Sequence, residues 1–173
     1  MLASRGLLDL DQRVRHYWPE FGINGKRDIT VRMLLNHTSG VVHVRRELPL
    51  GAYFDWDYMV RCLEEEFPFW KPGTRQGYHF VSFGWLVGEI IRRISGMSVG
   101  AFFRKHVAEP LGLDFWIGLP TEHEARVSRT IRPDIMTRIE SQAPMWHAAN
   151  NDPDSLARLC LMNSGGLIEL GPD

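Results

Sequence analysis

The sequence predicts a mainly α protein with a few short extended pieces. Three observations carry this. Phe83, Leu86, Val87, Ile90, Ile91 and Ile94 recur at helical spacing. Helix-start residues (Thr30, Asp55, Ser98) and helix-stop residues (Gly6, Gly96) bracket several apolar runs. Strand-like runs are few, and a stable sheet needs several strands.

Taken in order, Gly6 reads as a helix C-cap, because glycine enters the left-handed region at little cost. Only five residues precede it, too few to nucleate a helix alone, so residues 1–5 read as the stub of a longer one. Asp9 or Asp11 is expected to cap a short helix through Arg13 to Trp18, which Pro19 stops. Thr30 caps a helix from Val31 to Asn36. Asp55 opens one to Glu66, with Met59, Val60, Leu63 and Phe67 on its inner face and Glu64 to Glu66 as a solvated edge. Residues 81–95 form an amphipathic helix that Gly96 ends. Ser98 caps the next, which buries Phe102, Phe103 and Val107 and closes at Pro110. Phe115 to Gly118 is expected as a short strand, residues 154–162 as a last helix capped by Gly165-Gly166, and Leu167 to Leu170 as a strand.

Length and composition bound the function. One hundred and seventy-three residues suit one domain, residues 1–173. A chain of this length buries roughly 70% of its unfolded surface. A formal charge of −1 and only paired arginines (Arg45-Arg46, Arg92-Arg93) give no basic stripe, which argues against a nucleic-acid partner. No run of eighteen apolar residues spans a membrane. The opening MLASRGLL lacks a signal-peptide pattern, so a cytoplasmic location is expected. Cys62 and Cys160 lie far apart and read as buried free thiols, and the seven histidines are scattered, so no metal site and no cofactor is expected. The oligomeric state is left open.

Two strings stand out. Trp70 to Gly88, WKPGTRQGYHFVSFGWLVG, sets a Pro-Gly-Thr turn four residues before Tyr78 and then opens a glycine-containing helix. Pro72 fixes one backbone angle, Gly73 permits a sharp reversal, and the turn delivers Tyr78 at a defined angle. A phenol both donates and accepts a hydrogen bond, so it can relay protons if positive charge lowers its ordinary pKa near 10. The other string is LLNHTSG, Leu34 to Gly40.

Together these strings resemble the serine β-lactamase-like family: class C β-lactamases, penicillin-binding-protein relatives and related carboxylesterases. Gly6-Leu7-Leu8-Asp9-Leu10-Asp11 and Pro110-Leu111-Gly112-Leu113 extend the likeness over most of residues 6–120, and it weakens beyond about residue 130. The resemblance implies a partial β-lactamase/transpeptidase-like α+β fold. It makes Tyr78 the catalytic proton relay, opening the motif Tyr-x-Asn. It assigns His37 and Ser39, in the LLxHTSG string, with His79 and Phe80, to the substrate cleft. Phe80 stands where the motif has Asn, which holds a substrate amide, so this chain leans toward esters. His79, the middle residue, is expected at the surface or behind the reacting groups.

The departures matter equally. The family's nucleophile and base come from Ser-x-x-Lys, and no Ser or Thr here has a Lys three places on. A Lys-Thr-Gly or His-x-Gly strand is also missing. The expectation is a truncated chain that lacks the Ser-x-x-Lys helix and most of the sheet. A small-molecule ester or amide is then the substrate of the full-length relative, and this chain is silent, a pseudoenzyme candidate. The rival reading is a non-catalytic remnant that binds a ligand or partner. A third, a hydrolase using Ser98 of Gly96-Met97-Ser98-Val99-Gly100, requires a strand before Gly96. The Tyr78 reading itself requires that ring on an open face.

Overall fold

The computed structural model describes residues 1–129 and 144–165. The expected strand at Leu167 to Leu170, Gly166 and the side chain of Trp146 lie outside the described residues. Within them the chain is mostly helical: α1 (Val14–Tyr17), α2 (Val31–Leu35), α3 (Trp56–Glu65), α4 (Ser82–Ser95), α5 (Val99–Phe103), α6 (Glu109–Leu111), α7 (Pro144–Asn151) and α8 (Leu156–Met162). Short 3₁₀ turns fill several connections. Extended pairing among the described residues is a single antiparallel bridge, Arg13 to Thr30. No helix among them is long and apolar enough to cross a membrane.

Local caps set most helix starts. The Thr30 hydroxyl accepts from the Met33 N–H at 3.3 Å, Asp55 from Tyr58 at 2.9 Å, and Ser98 from Ala101 at 3.2 Å. Gly6 and Gly96 both end elements at φ 70°. The expected Asp9 or Asp11 cap on α1 is corrected. Arg13, in extended backbone, precedes that helix, and the Val14 N–H goes to Ile29 O at 2.8 Å. Asp11 instead takes a two-pronged contact from Arg32, at 2.6 and 2.8 Å.

α4 lies at the centre. Its Trp85, Leu86 and Ile90 pack with Met59, Val60 and Leu63 of α3, Leu34 of α2, and Val14, Trp18 and Phe21 of the N-terminal turns. Phe67 is exposed and does not continue the α3 face. Glu66 is buried rather than solvated: Arg45 pairs with its carboxylate, and Lys26 Nζ reaches its main-chain oxygen. Lys26 itself is buried, and loss of solvent lowers its ammonium to about 8 against the pull of Glu66 and Glu64.

Beyond Ser98 the burial pattern is looser. Phe102, Phe103 and Val107 are only half-buried, and Ala108 is the enclosed residue of that stretch. Pro110 does not close the helix. It occupies the first turn of α6, where a missing N–H is tolerated, and left-handed Gly112 ends the run. Phe115 to Gly118 forms no strand, because its backbone is irregular and its side chains lie largely in solvent. α7 was not expected from the sequence. It pairs with α8, which Asn163 fastens to the body of the protein: its amide donates to Val44 O and Arg46 O at 3.0 and 2.8 Å and accepts from Leu48 N–H at 2.9 Å. Cys62 is buried and Cys160 half-buried, and both are free.

Candidate active site

The two strings singled out in the sequence meet in space. Main-chain bonds lace them: Phe69 N–H to Gly40 O at 2.8 Å, Gly73 N–H to Thr38 O at 2.9 Å, and Gly77 N–H to His37 O at 3.1 Å. The Pro-Gly-Thr turn is closed by Thr74, whose N–H and hydroxyl both reach Lys71 O. Downstream, the Ser82 hydroxyl donates to Val42 O at 2.8 Å, fixing the start of α4 against the same strip of backbone.

His37 follows the C-cap of α2 and sits in the left-handed region at φ 63°, where a side chain is strained and glycine is the usual occupant. That conformation turns the chain sharply and aims the imidazole at three rings. Tyr78, Phe83 and His79 lie with centroids 5.0, 5.0 and 5.2 Å away. His37 Nδ1 also accepts from the His79 N–H at 3.3 Å.

Tyr78 lies on an open face, 69% exposed, with Phe80 beside it. The ring borders a groove of about 460 Å³ lined by Val42, Phe80, Met145, Leu156, Cys160 and Leu161, among others. The lining is largely apolar, and the volume falls in the range of small-molecule sites, roughly 300–1,000 Å³. Burial pushes the Cys160 thiol up to about 11, so it stays protonated and a poor nucleophile at neutral pH.

The sequence left His79 either at the surface or behind the reacting groups; the structure places it behind them, with Ser39 enclosed beside it. Neither is at the surface, and both are 0% exposed. The Ser39 hydroxyl lies 2.7 Å from His79 Nε2 and also accepts from the Val41 N–H at 3.2 Å. His79 Nδ1 faces Gly77 O at 2.8 Å. A carbonyl only accepts, so Nδ1 carries the proton and Nε2 accepts from Ser39. Loss of solvent lowers the imidazole to about 4, against the help of the Gly77 carbonyl, and nearby His37 lowers it further. Ser39 and His79 have the spacing of a nucleophile and base, but no substrate reaches a serine with no exposed surface. Ser98 is likewise excluded as an elbow nucleophile: the residues before Gly96 are α4, and Ser98 caps α5.

The fold and this site define the class of protein. The sequence profile of the Beta-lactamase family matches residues 1–172, and the chain belongs to that family. Among curated relatives it is 36% identical over 137 residues to the Esterase/beta-lactamase LipL of Mycobacterium tuberculosis, covering 76% of this chain and 31% of that protein. It is 27% identical over 124 residues to Penicillin-binding protein 4* of Bacillus subtilis, covering 66% of this chain and 26% of that one. Among solved structures it is similar to a penicillin-binding protein homolog from Caulobacter crescentus (41% identity, TM-score 0.74, 77% of this chain and 36% of that one). It is also similar to a family VIII carboxylesterase (37% identity, TM-score 0.74, 87% and 43%). The matched part of the chain thus spans less than a third of the length of these curated relatives.

Proposed function

We propose that this chain is the Tyr78-bearing part of an esterase-type serine hydrolase, which cleaves a small acyl ester through an acyl-enzyme. The observation that carries the reading is the exposed Tyr78 ring, fixed by the laced LLNHTSG and Pro-Gly-Thr segments at the rim of an apolar groove. Tyr78 is the proton relay. It takes the proton of an attacking serine as the ester carbonyl is attacked, and returns it to the departing alcohol. No Ser-x-x-Lys occurs in these residues, so the nucleophile lies outside this chain and the isolated chain is silent toward esters. Phe80, in the place of a hydrogen-bonding Asn, favours an ester over an amide. The groove supports binding of the apolar acyl part.

A chimera tests this. Residues 30–96 replace the matching segment of the family VIII carboxylesterase, and hydrolysis of p-nitrophenyl butyrate is followed. The chimera is expected to turn over, and Tyr78→Phe to lower its kcat by about 100-fold or more, the usual scale of acid–base assistance. Equal turnover with and without the hydroxyl removes the relay. The 173-residue chain alone is expected to give no Tyr78-dependent hydrolysis. The groove also favours a second reading, a non-catalytic binding module, for which saturable binding of the ester without turnover by either protein is the sign.

A further inference from the structure

Tyr78 and His79 are consecutive yet point opposite ways, one 69% exposed and the other with no exposed surface. Gly77, just before them, faces Trp70 so closely that an added Cβ would lie 2.3 Å from an indole carbon. The packing therefore demands glycine there. Glycine is also the residue with the most backbone freedom, so the indole that shapes this wall leaves a hinge next to the phenol. Other contacts remove that freedom. Gly77 N–H is held by His37 O at 3.1 Å, the His79 N–H by His37 Nδ1 at 3.3 Å, and Tyr78 O by Phe80 N–H at 3.0 Å. The Gly77 carbonyl is held by the His79 ring at 2.8 Å, and that ring is itself anchored by Ser39 at 2.7 Å.

We infer that His79 is the positioning residue of the Tyr78 site: its imidazole ties the Ser39 hydroxyl to the Gly77 carbonyl and locks the glycine hinge, so that the phenol is presented to the groove in one orientation. The inference rests on Tyr78 being the working group of the site, as proposed above. His79 touches no substrate and acts only through Gly77. With the ring neutral, Nε2 accepts the Ser39 proton; protonation would reverse that contact, making Nε2 the donor and depriving the hydroxyl proton of its acceptor, while the Nδ1–H bond to Gly77 O is kept. The titratable group facing it is the imidazole of His37, 5.2 Å away, whose other flank carries Tyr78.

The test reads the phenol directly and needs no turnover. The full chain is labelled with ¹³C at tyrosine Cζ, and the Tyr78 resonance is assigned with Tyr78→Phe. At pH 7 a single sharp Tyr78 line is expected. Ser39→Ala, which removes only the hydroxyl, and His79→Leu should broaden it or move it toward the free-tyrosine position, leaving Tyr17, Tyr53 and Tyr58 in place. His79→Gln, whose amide can both accept and donate, should restore part of the shift. In the unsubstituted chain the Tyr78 line alone should move on acidification, with a midpoint near the His79 value of about 4, and that step should vanish in His79→Gln. If His79→Leu does not fold, Ser39→Ala and the acid titration decide. A Tyr78 line unmoved by both, or an acid step shared by all four tyrosines, overturns the inference and leaves His79 a packing residue. Either result is separate from the chimera: loss of the tie does not touch the relay reading, and an unaffected Tyr78→Phe chimera does not touch the tie.

Discussion

The two ends of α4 are anchored by opposite chemistry. In its C-terminal half, Glu89 has no exposed surface and gathers three donors: Trp56 Nε1 at 2.9 Å, Arg92 Nε at 2.7 Å and Arg93 Nε at 2.7 Å. The two arginines reach on to Asp57 and Glu20, so the carboxylate stitches α4 to α3 and to the 3₁₀ turn Pro19–Gly22. Near its N-terminus the ties are neutral: the Ser82 hydroxyl on Val42 O, and the Ser39–His79–Gly77 chain behind Tyr78. The charged end is redundant, since each arginine has a second partner. The neutral end depends on single hydroxyls and on one unprotonated ring. Stability is concentrated away from the open face, and orientation beside it.

The sharpest way to break this comparison is Glu89→Ala. It removes the acceptor shared by Arg92, Arg93 and the Trp56 N–H, while the partly exposed arginines keep Asp57 and Glu20, and a loss of about 3 kcal/mol is expected. Urea unfolding followed by tryptophan fluorescence measures it. A loss below about 1 kcal/mol would mean that the arginines find other partners and the redundancy is complete.

An acid titration separates the two ends. His79 is lowered from 6.5 to about 4 in the fold, so its contribution is fully present above pH 6.5 and is lost as pH falls from there through about 4. That shift corresponds to about 3 kcal/mol. For Glu89, burial alone raises the carboxyl, but the hydrogen bonds from Arg92, Trp56 and Arg93 outweigh it and hold it below its ordinary 4.5. Its contribution is present above pH 4.5 and lost below. Urea midpoints measured from pH 7 to 3.5 should therefore fall in two stages. His79→Gln should shrink the earlier stage, leaving the part that belongs to buried His43, which loss of solvent also lowers, and Glu89→Gln should shrink the later, which Asp11, Glu20 and Asp114 share.

The smallest effect sharpens the contrast. Tyr78→Phe alters an exposed ring, and its unfolding free energy should stay within about 0.5 kcal/mol of the parent chain. The same change is expected to cost the chimera about 100-fold or more in kcat. A hydroxyl that matters to rate and not to stability belongs to function.

Features decided within a few residues were legible before the structure. Thr30, Asp55 and Ser98 cap as their side chains dictate, Gly6 and Gly96 stop their elements, and the 3.6-residue period at 83–94 marks α4. The Tyr78 reading required an open face, and the ring lies on one. What escaped was burial of polar groups, which depends on partners remote in sequence. Glu66 reads as the end of a solvated acidic run because Arg45 and Lys26 lie 21 and 40 residues away. The sequence leaves His79 between the surface and a place behind the reacting groups, because the Ser39 that settles it is 40 residues upstream. A signal for Glu89 did exist: it lies between Leu86 and Ile90 on the apolar face, with Arg92 and Arg93 three and four places on. α7 carries a weaker apolar period, and its opening proline, though suited to a first helical turn, equally marks a loop.

The indole of Trp70 has a consequence for anyone reshaping the groove. Gly77 admits no larger residue while that ring stands behind it, and Gly40 is equally hemmed in, with an added Cβ only 2.7 Å from Trp70 O. Enlargement or narrowing has to come from other lining positions, among them Met145, Leu156, Ala157 and Cys160 of α7 and α8. Part of this channel's wall is masonry and part is movable, and a directed-evolution library confined to those four positions on α7 and α8 samples the adjustable part.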